Sequence, residues 1–152
     1  MNYSPAPAVA APGLAVRWWQ RLLLTASGGV LIGLLATAAS LTPSGRGYGT
    51  HQALGLPPCT LQMWYGIRCP SCGMTTAWSH LMRGQVVRAV GANSGGAMLA
   101  VAAALCGPWM LGSGLRGKWL WVPPREGPIL AVGLAIVVTT LIDWSVRLYL
   151  GG

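Results

Sequence analysis

Residues 22–45, LLLTASGGVLIGLLATAASLTPSG, decide the fold class because they include no charged side chain. About 20 apolar residues in a helix cross a hydrocarbon core about 30 Å thick, so this stretch is long enough to span a bilayer. It also exceeds the apolar region of a secretory signal peptide, which has about 7 to 15 residues. The sequence therefore predicts an uncleaved first span over residues 22–42, preceded by a flexible tail over residues 1–20.

Two further apolar stretches predict two more spans. Residues 95–114 carry no charge, and Asn93 or Ser94 just before them has a side chain suited to cap a helix N-terminus. Residues 128–150 are also long enough to cross the membrane. Together with residues 43–92, which lie between the first two spans, these segments are predicted to form a single membrane domain.

The third predicted span contains two charged residues. Asp143 lies near its far end, and Arg147 follows one helical turn later, a spacing at which opposite charges attract. A charged residue inside a span is often part of an ion or proton path. Because no other acidic residue is available in the spans to continue a relay, we expect an interfacial ion pair.

The composition excludes several classes of protein. Of 152 residues, 53% are hydrophobic and only 8% are charged, against roughly 25% charged in ordinary soluble domains. The net charge is +8, but the ten Lys and Arg residues are scattered between apolar runs and form no basic patch for nucleic acid. Two acidic residues leave little for acid–base catalysis. We expect the lipid bilayer as a partner, no nucleic acid, and a protein that is not an enzyme.

The basic residues set the expected orientation. Three spans would divide them into two sets of five, one at each membrane face. The first helix usually dominates the positive-inside rule, which places the N-terminus in the cytoplasm and residues 43–92 outside it. The cytoplasmic set is Arg17, Arg21, Arg116, Lys118 and Arg125, and the other is Arg46, Arg68, Arg83, Arg88 and Arg147.

A Cys-rich loop and an amphipathic helix are predicted within residues 43–92. Apolar residues recur at helical spacing after the loop and predict a short helix lying in the membrane interface or folded against the bundle. Gly84 is suited to end that helix. The apolar stripe is Met74, Ala77, Trp78, Leu81 and Met82, and the polar face is Thr75, Thr76, Ser79, His80 and Arg83.

The same segment resembles a known family. The motif Cys69-Pro-x-Cys72-Gly73-x-Thr75-x-Ala77, preceded by Cys59 and Gly66 and followed by Leu81, Gly84, Ala89 and Asn93, is similar to the domain of unknown function 2752 (DUF2752) family of bacterial membrane proteins. The chain departs from the usual pattern at Thr76, Gln85 and Ser94, where the family has Arg, Asp and Pro. The resemblance implies a small multi-pass protein of the bacterial cytoplasmic (inner) membrane, and it implies no activity.

The cysteines of this segment predict a metal site. Two thiolates at CxxC spacing bind one tetrahedral ion in zinc knuckles, where Pro and Gly shape the turn. We predict zinc held by Cys59, Cys69 and Cys72, with His51 as a fourth ligand. His80 lies about 12 Å along a helix from Cys72, too far to share the ion, and Cys106 is expected to be a small buried hydrophobe within a span.

Two other chemistries fit the same cysteines. A disulfide among Cys59, Cys69 and Cys72 would staple an extracytoplasmic loop, and a bridge from Cys59 contributes about 2 to 3 kcal/mol in the chain-entropy account. Alternatively, a CxxC motif ahead of a helix N-terminus favours a thiolate, as in thiol–disulfide exchange. The three possibilities stay open at this stage.

The sequence thus predicts an all-α membrane protein with three transmembrane helices and a short amphipathic interfacial helix after a Cys-rich loop. We expect a non-enzymatic accessory protein or complex subunit, bound to other membrane subunits or to itself. The alternative is a membrane-bound thiol-redox or metal-dependent enzyme.

Overall fold

Three long helices dominate the computed structural model, which describes residues 15–120 and 124–150. They are α1 (Trp18–Ser40), α5 (Ser94–Arg116) and α6 (Glu126–Tyr149), and each is long and apolar enough to cross a membrane. Four shorter helices lie between α1 and α5: a 3-10 helix (Thr50–Leu54), α2 (Thr60–Tyr65), α3 (Met74–Leu81) and α4 (Val86–Ala92). No strand occurs within the described ranges, so the predicted all-α class with three spans is confirmed.

The helices that contain the predicted spans begin and end at slightly different residues from the spans themselves. The first helix starts at Trp18, inside the predicted tail, while residues 1–14 of that tail lie outside the described residues. The second span extends to Arg116, and Asn93 caps it as predicted by accepting a hydrogen bond from the Gly96 N–H at 2.6 Å. Pro108 lies inside this helix, which continues through it.

Glycines let α1 and α5 approach each other closely. A Cβ atom on Gly28 would lie 2.6 Å from the backbone nitrogen of Leu111 and 2.8 Å from the carbonyl oxygen of Gly107, closer than any real contact. At the other end of this interface, the Arg21 guanidinium donates to the carbonyls of Gly114 and Leu115, each at 3.2 Å. Both carbonyls lie in the last turn of α5, where a helix offers no i+4 N–H partner, and Arg21 thus connects the start of α1 to the end of α5.

The amphipathic helix predicted after the Cys-rich loop is α3, and it packs against α1, α4 and α5. Trp78 joins a buried cluster with α1 and α5, and Ala77 joins a second cluster with α4 and α5. Gly84 has a positive φ of 70° after the helix end, as its predicted role requires. Met82, in contrast, lies beyond the helix and is 41% exposed, so the apolar stripe ends one residue earlier than predicted.

The polar face predicted for α3 is wrong at two positions. Thr76 and Ser79 are fully buried. The hydroxyl oxygens of Thr76 and Thr50 lie 2.7 Å apart, and the Ser79 hydroxyl donates to the Leu41 carbonyl at 2.6 Å. Periodicity separates polar from apolar residues, but it does not distinguish water from another polar group as the partner. Here the partners are the 3-10 helix and the end of α1.

The last span, α6, packs against α5 alone among the described helices, and none of its residues is buried. The predicted ion pair between Asp143 and Arg147 is present. Most of the helix surface is therefore apolar and exposed, which fits a surface facing lipid.

Candidate metal centre

Three cysteine sulfurs come together in the segment between α1 and α5, near the N-terminal end of α5. Cys59 is the residue just before α2, whereas Cys69 and Cys72 lie in the turn before α3. The Sγ atoms of all three lie within 4.8 Å of one another, and those of Cys69 and Cys72 are 3.2 Å apart. The structure thus brings together three of the four predicted ligands, and from two separate parts of the chain.

The turn that carries Cys69 and Cys72 is tightly wound. The Cys72 N–H donates to the Cys69 carbonyl at 3.0 Å, and Gly73 follows with a φ of 90°, in the left-handed region that glycine favours. A Cβ at Gly73 would also lie 2.4 Å from the Ala92 carbonyl oxygen and 2.8 Å from that of Gly47. The glycine of the CPxCG motif therefore lets the turn press against the end of α4.

Asn93 fixes this turn to the bundle. Its side-chain amide donates to the carbonyls of Pro70 and Cys72, at 3.0 and 3.2 Å, while its oxygen caps α5. Only 1% of the residue is exposed. The sequence identified Asn93 as a helix cap, but nothing in the pattern indicated that its amide would hold the cysteine turn.

The third span also contacts the cysteine loop through one turn of α6. The Trp144 indole N–H donates to the Arg68 carbonyl at 2.7 Å, and the Arg147 guanidinium reaches the Cys72 carbonyl at 3.5 Å. Asp143 accepts from the Ser94 N–H at 3.2 Å. The predicted ion pair is therefore part of the support of the site, a role that i,i+4 spacing alone did not suggest.

A cavity of about 300 Å³ adjoins the three sulfurs. His51 lines it without joining the close group of sulfurs, and no carboxylate lines it. Tyr48, at its edge, lies beneath two guanidinium groups, those of Arg68 at 4.4 Å and Arg46 at 5.7 Å from the ring centre. The lining residues are Tyr48, Gly49, His51, Cys59, Gln62, Cys69, Ser71, Cys72, Gly73, Met74 and Thr75.

The two residues that the sequence analysis excluded as metal ligands, His80 and Cys106, do not line this cavity. His80 Nδ1 is 2.7 Å from the Gln85 side-chain oxygen, so this ring is held within its own helix-end turn. Cys106 is on α5 and is exposed, so the prediction of a buried hydrophobe is wrong. The helical period placed it in a span but did not indicate which side of that span faces the bundle.

The environment separates the pKa values of the thiols. The backbone N–H of Gln62, in the first turn of α2, donates to Cys59 and lowers the pKa of its thiol despite partial burial. Burial raises the pKa of Cys72 to about 12, and the hydrogen bond to the Cys69 sulfur adds to the effect. None of the four cysteines forms a disulfide in this structure. Cys59 therefore ionises more readily than Cys72.

The sulfur positions suit a thiophilic ion. Zinc–sulfur bonds are about 2.3 Å long, which places the sulfurs of a tetrahedral site roughly 3.8 Å apart. The Sγ atoms of Cys69 and Cys72 are 3.2 Å apart and all three sulfurs lie within 4.8 Å of one another, a range that includes the tetrahedral distance. Three thiolates would leave a fourth position directed to a further ligand. The 3.2 Å pair could also close into a disulfide.

The fold and the thiol cluster define a small multi-pass membrane protein with a cysteine site at the end of its spans. The family model described as "Protein of unknown function (DUF2752)" matches residues 59–107, from the first cysteine of the cluster into α5, and confirms the resemblance over this segment. No curated protein and no solved structure matches the chain.

The three departures from the family pattern each have a local role. Thr76 forms the buried contact with Thr50, and Gln85 holds His80. Ser94 occupies the first position of α5, where proline is favoured, and its N–H donates to Asp143. Proline has no N–H, so the contact between Ser94 and Asp143 depends on that departure.

Proposed function

We propose that this protein is a non-enzymatic membrane accessory protein or complex subunit, whose CPxCG loop is held by a zinc ion bound to Cys59, Cys69 and Cys72. The observation that carries the proposal is the approach of these three sulfurs to within 4.8 Å of one another. We place the protein in the bacterial cytoplasmic membrane with its N-terminus inside, in line with the family resemblance and the positive-inside rule.

The packing of the loop supports a structural role for the ion. Helix α2 contacts no other helix in the described part of the chain, so few interactions connect Cys59 to the bundle. Cys69 and Cys72, in contrast, are fastened by Asn93 and α6. An ion shared by the two parts would join them, and structural zinc contributes its binding energy directly to folding. His51, which lines the cavity, would supply the fourth ligand.

The scarcity of reactive groups supports a non-enzymatic role. One of the two acidic residues, Asp143, is paired with Arg147, and the other, Glu126, begins α6. A catalytic zinc site keeps an open position and works with a nearby acid or base, whereas no carboxylate lines this cavity. The exposed apolar surface of α6 supports contact with lipid, with other membrane subunits or with a second copy.

The test is a zinc measurement combined with a thiol count on the full chain, purified in detergent without reductant. We expect about one zinc per chain, and the thiols of Cys59, Cys69 and Cys72 should react only after chelation. Cys72→Ser should lose the metal, and Cys106→Ser, which alters a cysteine outside the cluster, should keep it. A metal-free protein with two thiols missing until reduction would instead establish a disulfide.

One observation favours thiol-redox chemistry as a second candidate. A readily ionised Cys59 lies beside a pair of sulfurs 3.2 Å apart. In such a reaction the thiols of Cys69 and Cys72 would form a disulfide, while a substrate disulfide takes up two electrons and two protons and becomes two thiols. Cys69→Ser would then abolish reduction of oxidised glutathione without loss of helicity. A structural metal site predicts no such activity in the unaltered protein.

A further inference from the structure

Residues 54–67, LGLPPCTLQMWYGI, form an uncharged and exposed segment that we call the apolar arm. It leads from the 3-10 helix through α2 to the residue before Arg68. Trp64 and Tyr65 are 75% and 70% exposed, values far from those of aromatic residues in a packed core. The large hydrophobic residues exposed on the arm are Leu54, Leu56, Leu61, Met63, Trp64, Tyr65 and Ile67.

No other helix in the described part of the chain covers α2, the central part of the arm. No residue of α2 is buried, and this helix packs against no other helix. Contact with water is unfavourable for such a surface, at about 25 cal/mol for each Å² of apolar area. Contiguous exposed apolar patches mark contacts with proteins or membranes, so the question is which of the two covers this one.

The arm is continuous with the surface of a membrane-spanning helix. Leu54 and Leu56 share an apolar cavity of about 300 Å³ with Leu34 and Ala38 of α1. Leu34 lies six residues before Ser40, the last residue of α1, which corresponds to about 9 Å along the helix axis. The beginning of the arm is therefore level with the last turns of the first span, where headgroups meet the acyl chains.

From this placement we propose that the apolar arm lies in the lipid interface, with the bilayer rather than another protein as its partner. Trp and Tyr are the residues enriched at that depth. Basic side chains lie next to the arm: Arg68 follows its last residue, and the Arg68 and Arg46 guanidinium groups both lie over the Tyr48 ring. Such an arrangement suits a surface that meets lipid phosphates.

The proposed lipid contact also bears on the position of Cys59 in the cysteine site. Cys59 is the one member of the sulfur cluster that lies on the arm, while Cys69 and Cys72 are fastened to the bundle. A bilayer that positions the arm also positions Cys59. This step rests on the proposed metal site, whereas the lipid contact itself does not.

Photo-crosslinking on the full chain in bacterial membranes tests the proposal. The photoreactive residue benzoylphenylalanine is placed at Met63, which is exposed, and as a matched control at Gln62, which lines the cysteine cavity. We expect a phospholipid adduct, seen by mass spectrometry, at position 63 and not at position 62. An adduct to a second copy or to another protein at position 63, or no adduct there, would overturn the proposal.

A second measurement does not depend on tolerance of the probe. The full chain, reconstituted in phosphatidylethanolamine and phosphatidylglycerol vesicles, is compared with the Trp64→Phe variant for quenching by lipids labelled near the headgroup. We expect the variant to lose part of the quenchable fluorescence, and unchanged quenching would contradict a lipid-bound arm. Because neither readout uses zinc, failure here is distinct from failure of the metal site.

Discussion

Asn93 shows how much one buried side chain can organise. A single amide group caps α5 through its oxygen and holds the Pro70 and Cys72 carbonyls through its nitrogen. Asp offers no amide donor, and Ser has one hydroxyl, so neither can replace all three contacts. A single residue, Asn93, thus holds the cysteine turn against the N-terminus of α5.

Substitutions at Asn93 separate its two roles. Asn93→Ser keeps a good cap for α5 but removes the amide that holds the cysteine turn, and Asn93→Ala removes both. We expect Ser to lower the free energy of unfolding by about 1 to 3 kcal/mol and Ala by about 1 kcal/mol more. Chemical denaturation in detergent, followed by circular dichroism, measures both. Equal stability of the Ser variant and the unaltered protein would show that the turn does not need the amide.

The thiol pKa values predict an order of reaction in the metal-free protein. Near neutral pH, the lowered pKa of Cys59 gives it a larger thiolate fraction than Cys72, because the pKa of Cys72, raised to about 12, keeps that thiol protonated. Iodoacetamide should therefore modify Cys59 well before Cys72, and the Cys59 rate should level off at a lower pH than that of a free thiol. Peptide mapping of the alkylated sites provides the measurement, and faster labelling of Cys72 would contradict the assignment.

At the scale of elements, the sequence predicted which helices form better than it predicted what surrounds their polar side chains. Long apolar stretches identified all three spans, and the apolar spacing around Ala77 and Trp78 identified α3, because burial of one face leaves a periodic trace. The environment of Thr76 and Ser79 left no such trace, since a hydroxyl satisfied by a neighbouring carbonyl or hydroxyl has the same sequence pattern as one satisfied by water.

Helix α6 offers a test of coupling between a span and the loop. Trp144→Phe keeps an aromatic ring but removes the N–H that donates to the Arg68 carbonyl. We expect a loss of about 0.5 to 1.5 kcal/mol in the free energy of unfolding, together with weaker zinc retention during chelator titration. Trp18→Phe, at an exposed position at the start of α1, is the control and should leave both unchanged. Identical titrations for the two variants would argue against the coupling.

For the whole molecule, the spans could be predicted from the sequence, but the contacts between the spans and the cysteine loop could not. Three of the four predicted ligands lie close together. The CxxC spacing accounts for two of them, Cys69 and Cys72, because it places both in one turn. The contacts from Trp144 and Arg147 to the loop, in contrast, join residues more than 70 positions apart. Such contacts depend on how helices pack, and neither periodicity nor composition records that.

The turn with Cys69 and Cys72 is hydrogen-bonded to the bundle, whereas α2 in the apolar arm contacts no other helix. We therefore expect metal removal to affect the structure locally. Chelation should increase hydrogen exchange in α2 and around Cys59, whose attachment to the bundle would be lost, while α1 and α5 stay protected by their glycine-mediated packing. Hydrogen–deuterium exchange mass spectrometry, with and without chelator, reads each segment separately. Equal increases in the spans would mean that the ion stabilises the whole bundle.

The contact between Trp144 and Arg68 also has a consequence for biosynthesis. The two residues are separated by 76 positions, so a ribosome adding about 5 to 20 residues per second completes the second roughly 4 to 15 s after the first. During that interval the newly made cysteine turn lacks the hydrogen bonds that α6 will supply. An ion or oxidant that arrived during this interval would therefore meet a loop without the hydrogen bond from Trp144, which forms only once α6 has been made.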